Sequence, residues 1–252
     1  MNCFDLSGKT AIVTGGGRGL GLGMSQALCE AGASVVMIGS GESSLQSAGK
    51  LSEQGYKACG MKGDLSRREN IPDIFEQAVK LLDGHLDILV NDAGVQRRNR
   101  CEDFLPEDWD TVLAVNLTAV FQMCQLAGRK MLVQGSGKII NVASMLSFFG
   151  GFTVPAYAAS KGGVAQLTKA LSNEWAGRGI QVNAIAPGYM ATEMNEALIR
   201  DRKRNEEILH RIPAGRWGTP SDMKGLVIFL ASSASDYVSG TVIPVDGGYL
   251  GK

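Results

Sequence analysis

Histidine is scarce in this chain, which has only His85 and His210, and its five cysteines (Cys3, Cys29, Cys59, Cys101, Cys124) are scattered, odd in number and never arranged as CxxC. Such a composition supports neither a zinc site nor a disulfide framework, and no metal is expected. Charge of one sign is equally thin on the ground. The 25 basic and 25 acidic residues give a formal net charge of +0 with no long run of either sign, which argues against a nucleic-acid footprint and against a polybasic membrane patch. The amino terminus, Met1-Asn2-Cys3-Phe4-Asp5, has no basic segment leading into an apolar one, and no apolar run reaches spanning length. A soluble, cytoplasmic chain whose partner is a small molecule is expected. A linker is also missing, so the 252 residues read as one large α/β domain with a substantial core.

Glycine, by contrast, is abundant: 33 residues, nearly double the ordinary share of about 7%, in a chain without repeats, which points to tight turns and close backbone approaches. Short apolar runs alternate with longer helical patterns. Thr10-Ala11-Ile12-Val13-Thr14 reads as a buried strand, followed by Gly15-Gly16-Gly17-Arg18-Gly19-Leu20-Gly21 and a helical pattern over Leu22–Ala31. Glycines there let a phosphate approach the first N–H groups of the helix, where the macrodipole favours an anion; the bland alternative is a simple turn. The spacing departs from GxGxxG but uses the same physics.

Ser34–Ile38 is the second strand, and its end decides dinucleotide choice. An acid would bond the ribose hydroxyl of NAD and an arginine would suit the extra phosphate of NADP; the chain offers Ser40, with Glu42 three residues late and Arg18 back in the glycine turn, so both cofactors stay open. A third strand over residues 57–62 leads to Asp64-Leu65, where Asp64 faces an adenine edge or simply caps the next helix. Ile88–Val90 runs into Asn91-Asp92-Ala93-Gly94 and then Arg97, Arg98 and Arg100, a basic cluster that either clamps a substrate carboxylate or is a solvated loop.

A long helical pattern, Glu107–Met131, carries Asn116 amid apolar neighbours, as a structural amide or as part of a proton route toward Lys161. Lys138–Val142 forms a fifth strand ending at Ala143-Ser144. Tyr157 and Lys161 follow at helical i, i+4 spacing, so phenol and ammonium share one face. Such pairs are common on helices, but this one has a chemical use. A fixed cation stabilises a phenolate, and lowering a phenol by about 3 units from near 10 needs roughly 4 kcal/mol at 1.36 kcal/mol per unit. Tyr157 then serves as general acid/base, with Ser144 holding the substrate oxygen. Strand Gln181–Ala186 is ended by Pro187, and Gly188, Met190 and Thr192 follow it. Residues from about 188 to 217, most polar from 193 onward, read as a substrate lid. A helix over Gly225–Ser232 and a strand over Thr241–Val245 complete the chain.

Thr14-Gly15-x-x-x-Gly19-x-Gly21, Asn91-Asp92-Ala93-Gly94, Asn116, Ser144, Tyr157-x-x-x-Lys161 and Pro187-Gly188 stand in the order and spacing of the short-chain dehydrogenase/reductase family, which the chain resembles from Lys9 to Gly248. The resemblance implies a single-domain Rossmann-type doubly wound parallel sheet with helices on both faces, binding NAD or NADP. It implies a catalytic tetrad of Asn116, Ser144, Tyr157 and Lys161, in which Lys161 acidifies Tyr157 and binds the nicotinamide ribose. The implied cofactor site takes in Gly15, Gly17, Arg18, Gly19, Leu20, Gly21, Ser40, Asp64, Leu65, Asn91, Ala93, Gly94, Tyr157, Lys161, Pro187, Gly188, Met190 and Thr192.

One departure stands out, because the family usually has Asn where this chain has Asp92, an acceptor-only group when ionised. Within the family, Asn141–Phe148, Val182–Thr192, Arg211–Gly218 and Ser232–Val238, with Arg97-Arg98, resemble the 2-deoxy-D-gluconate 3-dehydrogenases, also described as 2-dehydro-3-deoxy-D-gluconate 5-dehydrogenases. That likeness implies a deoxy keto-sugar acid, usually NAD, a substrate site of Arg97, Arg98, Ser144, Met145 and Tyr157, and a homotetramer. The rival readings are a 3-oxoacyl-carrier reductase, a gluconate 5-dehydrogenase and a nucleotide-sensing protein without turnover.

Overall fold

A computed structural model describes residues 3–252. Seven strands, β1 (Thr10–Thr14), β2 (Ser34–Gly39), β3 (Ala58–Lys62), β4 (Ile88–Asn91), β5 (Gly137–Val142), β6 (Ile180–Pro187) and β7 (Val242–Val245), form one wholly parallel sheet in the order β3-β2-β1-β4-β5-β6-β7. Parallel strands need covered faces, and their side chains supply the cover alternately. On β1, Ile12 packs to one side, with α3 (Ile71–Lys80), α5 (Ala119–Gln134) and α6 (Pro155–Trp175). Its neighbours Ala11 and Val13 pack to the other, with α1 (Gly19–Glu30), α2 (Ser43–Glu53) and α9 (Lys224–Ala231). The result is a single three-layer α/β/α domain of the Rossmann type.

The expected strands fall within one residue of the observed ones. The helix expected over Glu107–Met131 is interrupted: α4 (Pro106–Leu113) passes through a π-helical turn, Ala114–Thr118, before α5 begins. The wider turn swings Asn116 off the regular helical register, and such bulges recur at functional sites. The stretch Pro106–Gln134 does have the length and hydropathy of a spanning helix, contrary to the expectation from the sequence; Val112, Met123, Ala127 and Met131 are nevertheless packed in the core. The polar segment after β6 carries α7 (Glu196–Arg200) and α8 (Arg202–Arg211).

Order along the sheet reverses between β1 and β4, where one chain direction leads to β2 and the other to β5. Ligand crevices in such sheets lie at this switch, beyond the carboxyl ends of the strands. Behind that edge, α5 and α6 pack closely. A Cβ added at Gly128 would lie 2.5 Å from the Trp175 ring, so only glycine allows the two helices their present separation. Replacing Gly128 with Val forces them apart at a cost of about 1–3 kcal/mol. Differential scanning fluorimetry should show Gly128→Val melting about 2–12 °C lower. An unchanged midpoint would mean that the α5–α6 spacing is slack.

Candidate active site

The glycine turn between β1 and α1 is shaped by backbone contact. Gly15 has φ +69°, and a Cβ there would meet Ala93 N at 2.9 Å. A Cβ on Gly21 would lie 2.2 Å from Gly15 O. At the end of β1 itself, Thr14 Oγ1 accepts from the N–H groups of Asp92 and Ala93, each at 3.2 Å, which fixes the β4 turn against the β1 turn. No side chain caps the first turn of α1, so its N–H groups and positive dipole end remain for an anion. The cradle with its glycines fits a dinucleotide pyrophosphate.

Other members of the expected cofactor set are placed unequally. Gly19, Leu20, Ala93, Gly94, Gly188 and Thr192 follow the carboxyl ends of the strands, with Gly19 and Thr192 close to one another, whereas Gly17 is buried against the start of α2. Arg18 is exposed and pairs with Glu193 at 3.2 Å, joining the glycine turn to the segment after β6. Ser40 is exposed at the end of β2, and Glu42 is taken by an ion pair with Lys62. Asp64 accepts from Ser66 N–H at 3.0 Å, and the Ser66 side chain, followed by this N–H, holds its carboxyl below the usual carboxylate range, as in a local turn. Leu65 and Met190 are buried, and Pro187 closes β6. The Asn91 amide does not face the crevice: it donates to Asn141 Oδ1 at 2.9 Å and Cys124 Sγ at 3.3 Å inside the core.

The tetrad residues do converge. Ser144 follows β5, and Tyr157 and Lys161 project from α6, with Lys161 Nζ 5.6 Å from the centre of the Tyr157 ring. Asn116 is fully buried; its Oδ1 accepts from Val95 N–H at 2.8 Å, while its Nδ2 donates to Val95 O at 2.9 Å and Ser160 Oγ at 3.3 Å. It therefore pins the arginine loop to α6. The same loop is held at Asn99, whose N–H donates to the carbonyl of Thr153, a residue with φ +61° in the segment leading to Tyr157. A non-glycine residue at that φ is a strained position of the kind that clusters at working sites.

The electrostatics correct one expectation. Burial pushes the Tyr157 phenol up to about 12, and the Asp92 carboxylate adds to the rise; the Ser144 hydroxyl and the Arg98 guanidinium oppose it. Lys161 is not among the acidifying groups here. Its ammonium, 4% exposed, donates to Val142 O at 2.6 Å, and burial depresses its own pKa. The two expected substrate arginines also separate. Arg97 Nε donates to Asp108 Oδ1 at 3.1 Å, whereas Arg98 has no ion-pair partner among the described residues and bears on Tyr157.

Met145, next to Ser144, packs with Ile208, Ile212 and Tyr249 under Tyr189 and Trp217. Tyr189 contacts both Trp217 and Tyr249 edge-on at 5.4 Å, and Arg211 lies 4.4 Å above the Tyr249 ring. This aromatic wall was not foreseen. Its signal was the gathering of scarce aromatics, 6% of the chain, on both flanks of the polar segment and at the carboxyl terminus.

Residues 15–250 match the sequence model of the family described as enoyl-(acyl carrier protein) reductase. The chain is 52% identical over its full length to 98% of a 2-dehydro-3-deoxy-D-gluconate 5-dehydrogenase from Bacillus subtilis. To the protein of that name from Escherichia coli it is 49% identical, over 100% of this chain and 99% of the relative. Among solved structures it resembles a gluconate 5-dehydrogenase from Burkholderia cenocepacia in complex with NADP and tartrate, with TM-score 0.95 and 40% identity over 100% of this chain and 98% of that one.

Proposed function

Because the chain belongs to the short-chain dehydrogenase/reductase family, we propose that it is the NAD(P)-dependent dehydrogenase of a deoxy keto-sugar acid of the 2-dehydro-3-deoxy-D-gluconate type, reacting at a secondary hydroxyl or its ketone. The observation that carries this reading is Arg98. It is an exposed guanidinium with no ion-pair partner among the described residues, on the loop that Asn116 ties through Ser160 to the helix of Tyr157, and its charge favours the phenolate. A sugar acid presents the complementary parts, a carboxylate for the guanidinium and a hydroxyl or carbonyl for the pair.

The dinucleotide supplies a hydride acceptor or donor when bound; the residues do the rest. The glycine turn and the N–H groups of α1 hold the pyrophosphate. Ser144 Oγ accepts from Leu146 N–H at 3.1 Å, which leaves its own proton to donate to the substrate oxygen. Tyr157 exchanges a proton with that oxygen. Because its phenol is pushed up in the closed site, it suits proton donation to a ketone at neutral pH, and oxidation requires that the acidifying groups be completed by ligand charge. Lys161, pinned by Val142 O, is positioned to reach a ribose beside the phenol. Asn116 fixes the loop bearing Arg98, and the segment at about 188–217, with its aromatic wall over Met145, acts as the substrate lid.

Near the end of β2, Glu42 pairs with Lys62 and Arg18 of the glycine turn pairs with Glu193, so neither an unpaired carboxylate nor an unpaired cation among these residues favours one dinucleotide. The site is therefore read as accepting NADP as well as NAD. A cytoplasmic homotetramer completes the reading, supported by Phe121 and Val133, apolar and exposed on α5.

Tyr157→Phe should lower kcat by at least about 100-fold with dinucleotide affinity nearly unchanged. Turnover near the normal rate would remove Tyr157 from proton transfer. Across a panel of sugar acids and their uncharged analogues, run with NADH and with NADPH, Arg98→Ala should raise KM about tenfold or more for the acids alone, and Arg97→Ala should not. Equal effects of Arg98→Ala on both substrate types would make it structural, and activity confined to NADH would show that the β2 end excludes the phosphate. Light scattering should give four times the chain mass; a monomer refutes the tetramer.

A further inference from the structure

The lid helix α8 has little of its own to hold it down. Of its 10 residues only Ile208 is buried, and Arg202 and Arg204 are engaged in ion pairs with Glu206 and Glu207 within the helix. Ile208 and Ile212, the residue just after α8, lie outside both large core clusters. They belong to a small one, completed by Met145 of the loop after β5 and Tyr249 of the turn after β7. Tyr249, 5% exposed, is the meeting point of that cluster. The guanidinium of Arg211, the last residue of α8, stands 4.4 Å above its ring; Arg211 is exposed and forms no ion pair among the described residues. Phe149, from the loop after β5, stacks on the same ring at 5.9 Å and 23°, and Tyr189, from the segment after β6, meets it edge-on at 5.4 Å.

The turn that carries the ring is itself fixed. Asp246 Oδ1 accepts from Gly248 N–H at 2.9 Å and its Oδ2 from Leu250 N–H at 2.8 Å, which folds residues 246–250 around one carboxylate. A Cβ on Gly188 would lie 2.6 Å from Asp246 Cα, and one on Gly247, whose φ is +65°, would lie 2.8 Å from Ile212 Cγ2. Gly247 O accepts from Ala214 N–H at 3.0 Å. The turn is thus wedged between the end of β6 and the chain leaving α8. We propose that Tyr249 is the positioning residue of the substrate lid: its ring is the fixed post on which α8 seats, through Ile208, Ile212 and the Arg211 guanidinium, and which holds the lid in register with Met145 beside Ser144. A ring suits this task because it offers apolar area to the isoleucines and a π face to the guanidinium, which an aliphatic side chain cannot. A small cluster apart from the main core opens at less cost than the sheet, so the lid moves as a unit while the dinucleotide edge stays in place.

The kinetic arm of the test rests on the lid and sugar-acid reading given above; the exchange arm does not. Tyr249→Leu keeps apolar bulk and removes the ring. Hydrogen exchange of the full chain, followed by mass spectrometry, should then rise about fivefold or more over residues 202–212, with β1, β4 and β5 unchanged. Tyr249→Phe keeps the ring and should stay within about twofold of the unaltered protein. Arg211→Gln, an exposed change that spares the core, should raise exchange over the same residues about twofold and add little to Tyr249→Leu. With the sugar acid, Tyr249→Leu should raise KM about fivefold or more while the NADH Kd stays within about twofold. Exchange in Tyr249→Leu that is unmoved over residues 202–212, or raised equally in the strands, overturns the proposal. So does Tyr249→Phe as loose as Tyr249→Leu, and so does Arg211→Gln with α8 unmoved. Sugar-acid and NADH binding weakened alike would make Tyr249 a general support of the edge, which also refutes it. If no sugar acid is turned over, the function proposed above fails, and the exchange measurement still decides whether Tyr249 seats α8.

Discussion

Lys161 lies almost wholly out of solvent with its ammonium against the last carbonyl of β5, and a cation in that position needs its hydration replaced by fixed oxygens. The protein supplies Val142 O at 2.6 Å and, at longer range, the Asp92 carboxylate. Much of the catalytic edge follows from this need. The bond to Val142 locks α6 to β5 and so sets where Tyr157 stands relative to Ser144. Ser147 Oγ, donating to Lys161 O at 2.6 Å, fastens the same helix to the loop after β5 from the backbone side. Asn116 then ties α6, through Ser160, to the loop after β4. Phenol, hydroxyl and guanidinium come from three different segments and are held in register by polar groups that are themselves buried.

The strands were legible because parallel strands buried on both faces leave continuous apolar runs bounded by glycine or polar residues, as in Ile12-Val13 and Ile139-Ile140. The placing of Tyr157 and Lys161 on one helix face was legible through spacing. The π-helical turn was not, since residues 107–131 carry no proline or glycine that would mark a break before Gly128, and the two hydrogen bonds that Asn116 makes there go to Val95, 21 residues away. Periodicity cannot report a long-range hydrogen bond. For the same reason Arg97 and Arg98 were indistinguishable in sequence, and only the location of Asp108 on α4 separates the bound arginine from the free one.

The cause assigned to phenol acidification also failed at a definite point. Helical spacing places Lys161 on the same face as Tyr157, and that inference holds at 5.6 Å from the ring. It does not follow that the charge acts strongly on the phenolate, because a buried ammonium is itself destabilised and its nearest partner is a carbonyl. In a closed site desolvation outweighs a single cation, and the net effect on the phenol is upward. A reductase and a dehydrogenase need opposite things from this tyrosine. A phenol that keeps its proton is suited to giving one up to a ketone, and a phenolate to taking one from a hydroxyl.

Substrate choice then rests on parts the shared fold does not dictate. The sheet, the glycine turn and the tetrad present a reacting oxygen to a nicotinamide regardless of what the oxygen belongs to. What lies around that oxygen here is one free guanidinium, a methionine and a wall of Tyr189, Trp217 and Tyr249. The wall is held by Trp217 Nε1 donating to Asn205 Oδ1 at 2.7 Å and by Arg211 over Tyr249. An acyl chain would gain from the apolar half of that surface but would offer the exposed Arg98 guanidinium no partner. A short, hydroxylated acid would offer the guanidinium a carboxylate. The preference for an acid therefore comes from what the guanidinium gains by pairing with a carboxylate, not from a penalty on the acyl alternative.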